Sequence, residues 1–239
     1  MIYTIFPTLL FAILSFTNAV GVTTKVTEKK PTLAAVVKPT VETKIASLYQ
    51  NLKSNSFELP QFECFNEALH GFYLLKDKGV IQKNILTLID FSKSANQKRL
   101  WVIDLTTNTI LYHSLVSHGR NTGEEFATSF SNTNSSNKSS LGFYATAEVY
   151  NGKHGMSLRL DGLEKGVNDN ARARAIVMHG ADYCSDSFIH NNKRLGRSLG
   201  CPAIPESMKR EIIETIKGKS CLYIYHPSRK TETLQHLIS

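Results

Sequence analysis

Cys201 lies in the run Gly196-Arg197-Ser198-Leu199-Gly200-Cys201-Pro202, and His179 ends the apolar run Ala175-Ile176-Val177-Met178 upstream of it. A thiolate attacks acyl carbons well, but a thiol is mostly protonated at neutral pH. A nucleophilic cysteine therefore needs a nearby base and donors for the developing oxyanion. Gly200 lets the backbone approach a reacting carbonyl with no Cβ in the way. The amides around Gly200 and Cys201 are expected to point at the oxyanion. Pro202 has no amide hydrogen and fixes the chain direction beyond the thiol. His179, at the end of an apolar strand, is placed at the rim of a sheet where it can be aimed. Gly180 makes room beside it and offers a carbonyl to orient the imidazole in place of a carboxylate. The chemistry these residue types support is cysteine acyl transfer.

Other readings of the same residues stand beside this one. A cysteine is often a small core residue, and a histidine at a strand end is often a surface residue. His179, Cys184, His190 and Cys201 have the atom types of a zinc site, but their spacings of five, six and eleven lack the tight paired ligands of structural zinc, so no metal is expected. If Cys201 is free, Cys64, Cys184 and Cys221 allow at most one disulfide, and the sequence does not say which. Chain order narrows the enzymes: papain-like peptidases place Cys before His. Sortases run His then Cys, but their Thr-Leu-x-Thr-Cys stretch is absent.

The elements that must carry these residues follow from patterning. With 239 residues, the chain can hold one sizeable domain and a smaller appendage. Residues 1–19 are mostly apolar and end in Thr17-Asn18-Ala19, which reads as a secretory signal peptide, with an uncleaved anchor as the alternative because Lys25, Lys29 and Lys30 follow the apolar run. No other segment is apolar enough to span a bilayer. Residues 20–42, rich in Thr, Lys and Val with Pro31 and Pro39, read as an extended linker. Residues 43–95 read as helical, with Phe62, Phe65, Leu69, Phe72 and Leu75 at spacings of three and four and a second short helix over 82–90. A hairpin is expected over 100–116, a solvated loop over 131–140, and further strands over 142–150, 157–160, 175–178 and 220–225. A helix is expected over 205–217. The fold class is mainly β with helical additions: a catalytic domain over 96–228 and a tail over 229–239. The formal charge of +8 suits an anionic partner, yet no nucleic-acid motif is present and no nucleic-acid partner is expected.

Several ordered segments carry a resemblance. They are Phe91-Ser92-Lys93, Val116-Ser117-His118-Gly119-Arg120, Ser139-Ser140-Leu141-Gly142-Phe143-Tyr144, Gly152-Lys153-His154-Gly155-Met156-Ser157-Leu158-Arg159-Leu160-Asp161-Gly162, Asn168-Asp169-Asn170-Ala171-Arg172-Ala173-Arg174, and Ile176-Val177-Met178-His179-Gly180-Ala181-Asp182-Tyr183. With the Cys201 run they make the chain resemble the murein L,D-transpeptidase catalytic-domain family, in the branch with Gly-Arg-Ser-x-Gly-Cys-Pro. The resemblance implies a β-sandwich or barrel exported to the periplasm or cell wall. It implies Cys201 as nucleophile, His179 as base, backbone amides near Gly200 and Cys201 as oxyanion hole, and Ser198 as support of the turn. Leu199 replaces the histidine of the commoner motif. His154, Arg197, Tyr183 and Asn168 are the candidates for contacting stem-peptide substrate; Arg159 and Arg172 are read as structural ion pairs.

The implied activity is attack of Cys201 on a peptidoglycan stem peptide, release of D-alanine, and transfer from the thioester to an amine, giving a 3→3 cross-link. Water as acceptor would make a carboxypeptidase, and loss of turnover would leave a wall-binding protein. No cofactor is implied. Acceptor and oligomeric state are open.

Overall fold

In α2 (Phe62–Asp77), Phe65, Leu69, Phe72 and Leu75 form the buried stripe that their spacing announces, while Phe62 stays exposed. Glu63 in its first turn and Lys76 in its last complement the helix dipole. Before it, α1 (Val41–Gln50) starts within the expected linker, because Thr40 caps it: the Thr40 hydroxyl accepts from the Thr43 amide at 3.3 Å. The computed structural model describes residue 21, residues 40–229 and residue 237. The expected signal peptide, most of the linker and most of the tail lie outside the described residues. No described helix is long and apolar enough to cross a membrane.

The segment expected as a short helix over 82–90 is instead strand β1 (Ile85–Asp90). Its residues Ile85-Leu86-Thr87-Leu88-Ile89 form a short apolar run buried on both sides, whose pattern does not separate helix from strand. Its three β-branched residues and its place between two strands decide the outcome. The other strands are β2 (Leu100–Asp104), β3 (Thr109–Ser114), β4 (Gly142–Gly152), β5 (Gly155–Gly162), β6 (Val177–Ala181), β7 (Ala203–Pro205) and β8 (Cys221–Tyr225). Helix α3 (Asp186–Asn192) follows β6. A 3₁₀ turn (Glu206–Met208) and α4 (Lys209–Ile216) occupy the expected helix before β8.

One sheet of eight strands has the order β3-β2-β1-β8-β4-β5-β6-β7. The last strand in sequence lies inside the sheet, parallel to β1 and antiparallel to β4. Its run Cys221-Leu222-Tyr223-Ile224-Tyr225 is apolar throughout because both faces are covered. Cys221, Tyr223 and Tyr225 pack with Phe65, Leu69, Trp101 and Phe143 on the α1/α2 side. Leu222 and Ile224 pack on the other side with Tyr144, Leu158, Met178 and the α4 residues Ile212, Ile213 and Ile216. Beyond β3 the chain bends so that the Ser117 amide reaches the Ala203 carbonyl on β7 at 2.8 Å, bringing the two ends of the sheet together. The protein is thus mostly β, a sheet curled close to a barrel, with its small helices before and around it.

All four cysteines are free; Cys64, Cys184 and Cys221 are buried, and Cys201 is partly exposed. Cys64 and Cys221 sit in the core as small apolar residues, and the Cys184 thiol donates to the Ala203 carbonyl at 3.2 Å beneath β7.

Candidate active site

Strands β6 and β7 run parallel with His179 opposite Ala203, so the sheet sets His179 beside the chain that leaves Cys201. Cys201 and His179 line one cleft of about 470 Å³, together with Tyr150, Ser157, Arg174, Ile176 and Leu199. His154, Tyr183, Arg197 and Ser198 line the same cleft. Of the other expected site residues, Gly180 lines the adjoining cleft, Gly200 is buried in the turn before Cys201, and Asn168 lies apart. Asn168 is fully buried in a corner of the sheet. Its side-chain amide donates to the Leu141 and Phe143 carbonyls at 2.9 and 3.0 Å, and its oxygen accepts from the Glu164 amide at 2.9 Å. All its polar atoms are used to hold the backbone there, which leaves nothing to meet a substrate.

The imidazole of His179 is oriented by one bond. Its Nδ1 lies 2.9 Å from the Gly180 carbonyl, which only accepts, so Nδ1 carries the proton and Nε2 is left as the basic nitrogen. Gly180 has a further reason to be glycine: a Cβ there would meet the Glu206 carboxylate at 2.2 Å. Burial lowers the pKa of His179 below the usual imidazole range, with the Gly180 bond opposing the shift and nearby His154 adding to it. Burial raises the Cys201 thiol, against the Val177 amide and Arg174, which lower it. At neutral pH these shifts favour the pair as thiol and neutral imidazole, an arrangement from which a proton transfer would make a thiolate.

The sulfur is held from the β6 side. The Val177 amide points at Sγ at 3.5 Å, and the thiol faces the Ala175 carbonyl at 3.7 Å. Ala175 has a φ of +55°, an uncommon conformation for a residue with a Cβ, and it turns this carbonyl toward the sulfur's side of the chain. The turn itself is tied by Ser198, whose hydroxyl donates to the Cys201 carbonyl at 2.6 Å and accepts from the Gly200 amide at 3.0 Å. This corrects one expectation. The Gly200 N–H is spent inside the turn and does not face the cleft; among the described residues, the Cys201 N–H has no partner and is the amide free to meet an oxyanion.

Three features went unread in the sequence. The polar run 131–140, expected as a solvated loop, ends in the buried Ser139 and Ser140 and frames the site. The Ser139 hydroxyl accepts from the Gly119 amide at 3.0 Å and donates to the Gly200 carbonyl at 3.1 Å. Arg174 binds the same loop through the Ser131 carbonyl at 2.8 Å and the Lys138 carbonyl at 2.6 Å, and its charge opposes the upward shift of the Cys201 thiol. The third is the support behind the turn. Ser198 exchanges backbone bonds with His118 and Arg120 at 2.9 and 2.8 Å, and Gly119 approaches Gly200 so closely that a Cβ would sit 3.0 Å from its Cα. The available signal was that residues 116–120 and 139–144 are among the segments that carry the resemblance.

His118 itself is buried behind the turn. The Arg99 guanidinium, fully buried, donates to its Nδ1 at 2.9 Å and to the Val116 carbonyl at 3.0 and 3.2 Å. Burial brings Arg99 down to about 9, and burial with the adjacent Arg99 brings His118 down to about 4. His118 therefore stays neutral and structural.

Arg197 reaches the cleft, but its Nη1 is committed to Glu124 at 2.7 Å and to the Arg120 and Gly123 carbonyls. Arg159 and Arg172 are ion-paired away from the thiol: Arg159 with Glu148 at 3.1 Å, Arg172 with Glu148 at 2.9 Å and Asp161 at 2.5 Å. A second cleft of about 510 Å³ adjoins the first at His154 and Tyr183 and carries Asp182 and Glu206.

The sequence model of the L,D-transpeptidase catalytic domain matches residues 58–225, and the chain belongs to that family. The matched stretch takes in α2 and β1 as well as the strands around the cleft. A comparison with curated protein sequences gives no match. Among solved structures, the chain is similar to an L,D-transpeptidase from Mycobacterium smegmatis, with 10% identity and a TM-score of 0.37 over 60% of this chain and 59% of the other. An L,D-transpeptidase fragment from Xylanimonas cellulosilytica gives 11% identity and a TM-score of 0.37, covering 76% of this chain and 93% of that one. The helical cell shape determining protein Pgp2 from Campylobacter jejuni gives 12% and 0.40, covering 70% and 57%. The chain thus spans less than two thirds of the Mycobacterium and Campylobacter chains.

Proposed function

We propose that this protein is an exported cysteine acyltransferase acting on peptidoglycan stem peptides. The observation that carries the reading is the placement of Cys201 and His179 in one cleft, with Nδ1 of His179 fixed by the Gly180 carbonyl and Nε2 left basic. Cys201 Sγ attacks the carbonyl carbon of the third stem residue. Nε2 of His179 takes the thiol proton, and the Cys201 N–H donates to the oxyanion. The bond to D-alanine breaks, the proton passes from His179 to its departing amine, and a thioester joins the stem to Cys201. An amine of a second stem then attacks the thioester, His179 takes its proton, and the thiol is restored with a 3→3 bond formed.

The second cleft supports an amine as acceptor. Asp182 lines it beyond His179, and a carboxylate draws a protonated amine, which must give up a proton before it attacks; Glu206 there is already paired with Lys209. Lys153 lines the same cleft as the thiol, where a stem carboxylate is its match, while the Arg174 guanidinium is already bound to the 131–140 loop.

Incubating the protein with disaccharide-tetrapeptides and reading products by mass spectrometry tests this. Cross-linked dimer with free D-alanine is the expected result, and shortened tripeptide alone would mark a carboxypeptidase. Absence of any product, together with no mass adduct on Cys201 from a carbapenem, would leave a wall-binding protein.

A further inference from the structure

The β4–β5 hairpin closes at Gly152 opposite Gly155, so Lys153 and His154 form its two-residue turn. Gly155 has a φ of +67°, the left-handed position that lets the strand resume after that turn. The turn brings the His154 ring onto His179: the centroids are 4.2 Å apart and the planes meet at 18°. This is a parallel stack, with the exposed turn residue covering one face of the ring that bears the basic nitrogen. The Lys209 ammonium on α4 lies beside this turn, in ordinary contact range of Gly155. Lys209 in turn pairs with Glu206, which lies against Gly180.

We propose that His154 is a positioning residue for the base, its ring fixing the plane of His179 so that Nε2 is aimed at Cys201. The assignment rests on the acyltransferase reading above and replaces the direct substrate contact expected for His154. Two restraints define the ring: the Gly180 carbonyl holds Nδ1 in the plane, and His154 blocks rotation out of it. Either alone leaves a torsion free. The reach of the effect follows from what else faces His179. Charged and titratable groups come from three elements: His154 from the hairpin turn, Glu206 from the 3₁₀ turn, and Lys209 from α4. His154 is the one of these in ring contact. It covers the imidazole from water and disfavours a second positive charge beside itself, and both effects keep His179 neutral and ready to accept a proton.

The test uses the full chain with His154→Ala, His154→Phe and His154→Gln. Three readouts are taken: kcat and KM for tetrapeptide, the pH profile of Cys201 acylation by a carbapenem, and the NMR titration of His179. His154→Ala is expected to lower kcat roughly 10-fold, with KM changed less than about twofold. The acidic limb of its profile and the His179 titration should both move to higher pH. His154→Phe keeps a ring in the stack and should recover most of kcat with a profile close to the parent's; His154→Gln should behave like His154→Ala. A rise in KM with an unmoved profile would make His154 a substrate contact and overturn the proposal. Equal impairment of the Ala and Phe variants would overturn it as well. The NMR titration needs no peptidoglycan turnover. An inactive parent protein would therefore sink the acyltransferase reading, while the titration still decides whether His154 controls His179.

Discussion

Around Cys201, the backbone of Gly196, Ser198 and Gly200 is bound at both its amides and its carbonyls. The Gly196 carbonyl accepts from Ser117, the Ser198 amide and carbonyl pair with His118 and Arg120, and the Gly200 carbonyl accepts from Ser139. Around His154, by contrast, the turn is exposed and the ties are few: the ring stack on His179, and behind it Arg159 lying over the Tyr150 ring at 4.4 Å and pairing with Glu148. Both turns border one cleft. The thiol's turn is built in by buried hydrogen bonds, which are costly to leave unmade. The ring that stacks on His179 is laid on from the surface, where contacts add little to stability. A thiol held by buried bonds and an imidazole covered by an exposed ring teach that the two sides of the cleft are attached in different ways.

The largest expected effect breaks the chemistry without touching the fold. Cys201→Ala should remove cross-linked product and the carbapenem adduct altogether, with the melting temperature within a few degrees of the parent's; retained activity would sink the mechanism. His179→Gln should lower kcat/KM by roughly 10²–10⁴. Next come changes in the bound turn, which should lower both stability and activity. Gly119→Ala places a methyl 2.5 Å from the Asn137 carbonyl oxygen and 3.0 Å from Gly200, and about 1–3 kcal/mol of stability should be lost. Ser139→Ala leaves the Gly119 amide and Gly200 carbonyl without their shared partner and should cost about 2 kcal/mol in denaturant unfolding. At the other end of the scale, Arg159→Ala should change stability by less than about 1 kcal/mol, because its pair with Glu148 is largely solvated. If Arg159→Ala destabilised as much as Ser139→Ala, the contrast between the two turns would be wrong.

Acid offers a further probe of the bound side. His118 is held down to about 4, below its unfolded value near 6.5. The unfolded chain therefore binds the extra proton first. The stability this histidine leaves intact above about pH 6.5 should fall as pH drops toward 4, by about 3 kcal/mol at most. Denaturant unfolding between pH 7 and 4 measures it. His118→Gln, which keeps an acceptor for Arg99, should flatten that slope.

Cys201 and His179 were legible because each sits beside a backbone signal: a glycine before the thiol, an apolar strand before the imidazole. The strands alternating around the cleft were legible for the same reason. What lay hidden depends on long-range burial. β1 looks helical until β8 and β2 enclose it. Ser139 looks like part of a solvated loop until Gly119 and Gly200 meet its hydroxyl. Asn168 has the chemistry to bind a peptide, but three backbone groups of the folded sheet claim it first. The Gly200 amide was assigned to the oxyanion because the sequence cannot show that Ser198 turns back to take it.

The place of β8 has a consequence for how the molecule comes into being. It joins β1 on one side to β4 on the other, so the half with β1, β2 and β3 and the half with the cleft are sewn together by a strand that follows both in the chain. Pairings between such distant parts of a chain form slowly. A chain cut before Cys221 would keep Cys201 and the β6-side groups that hold its sulfur, but would lack the strand that joins the cleft to β1.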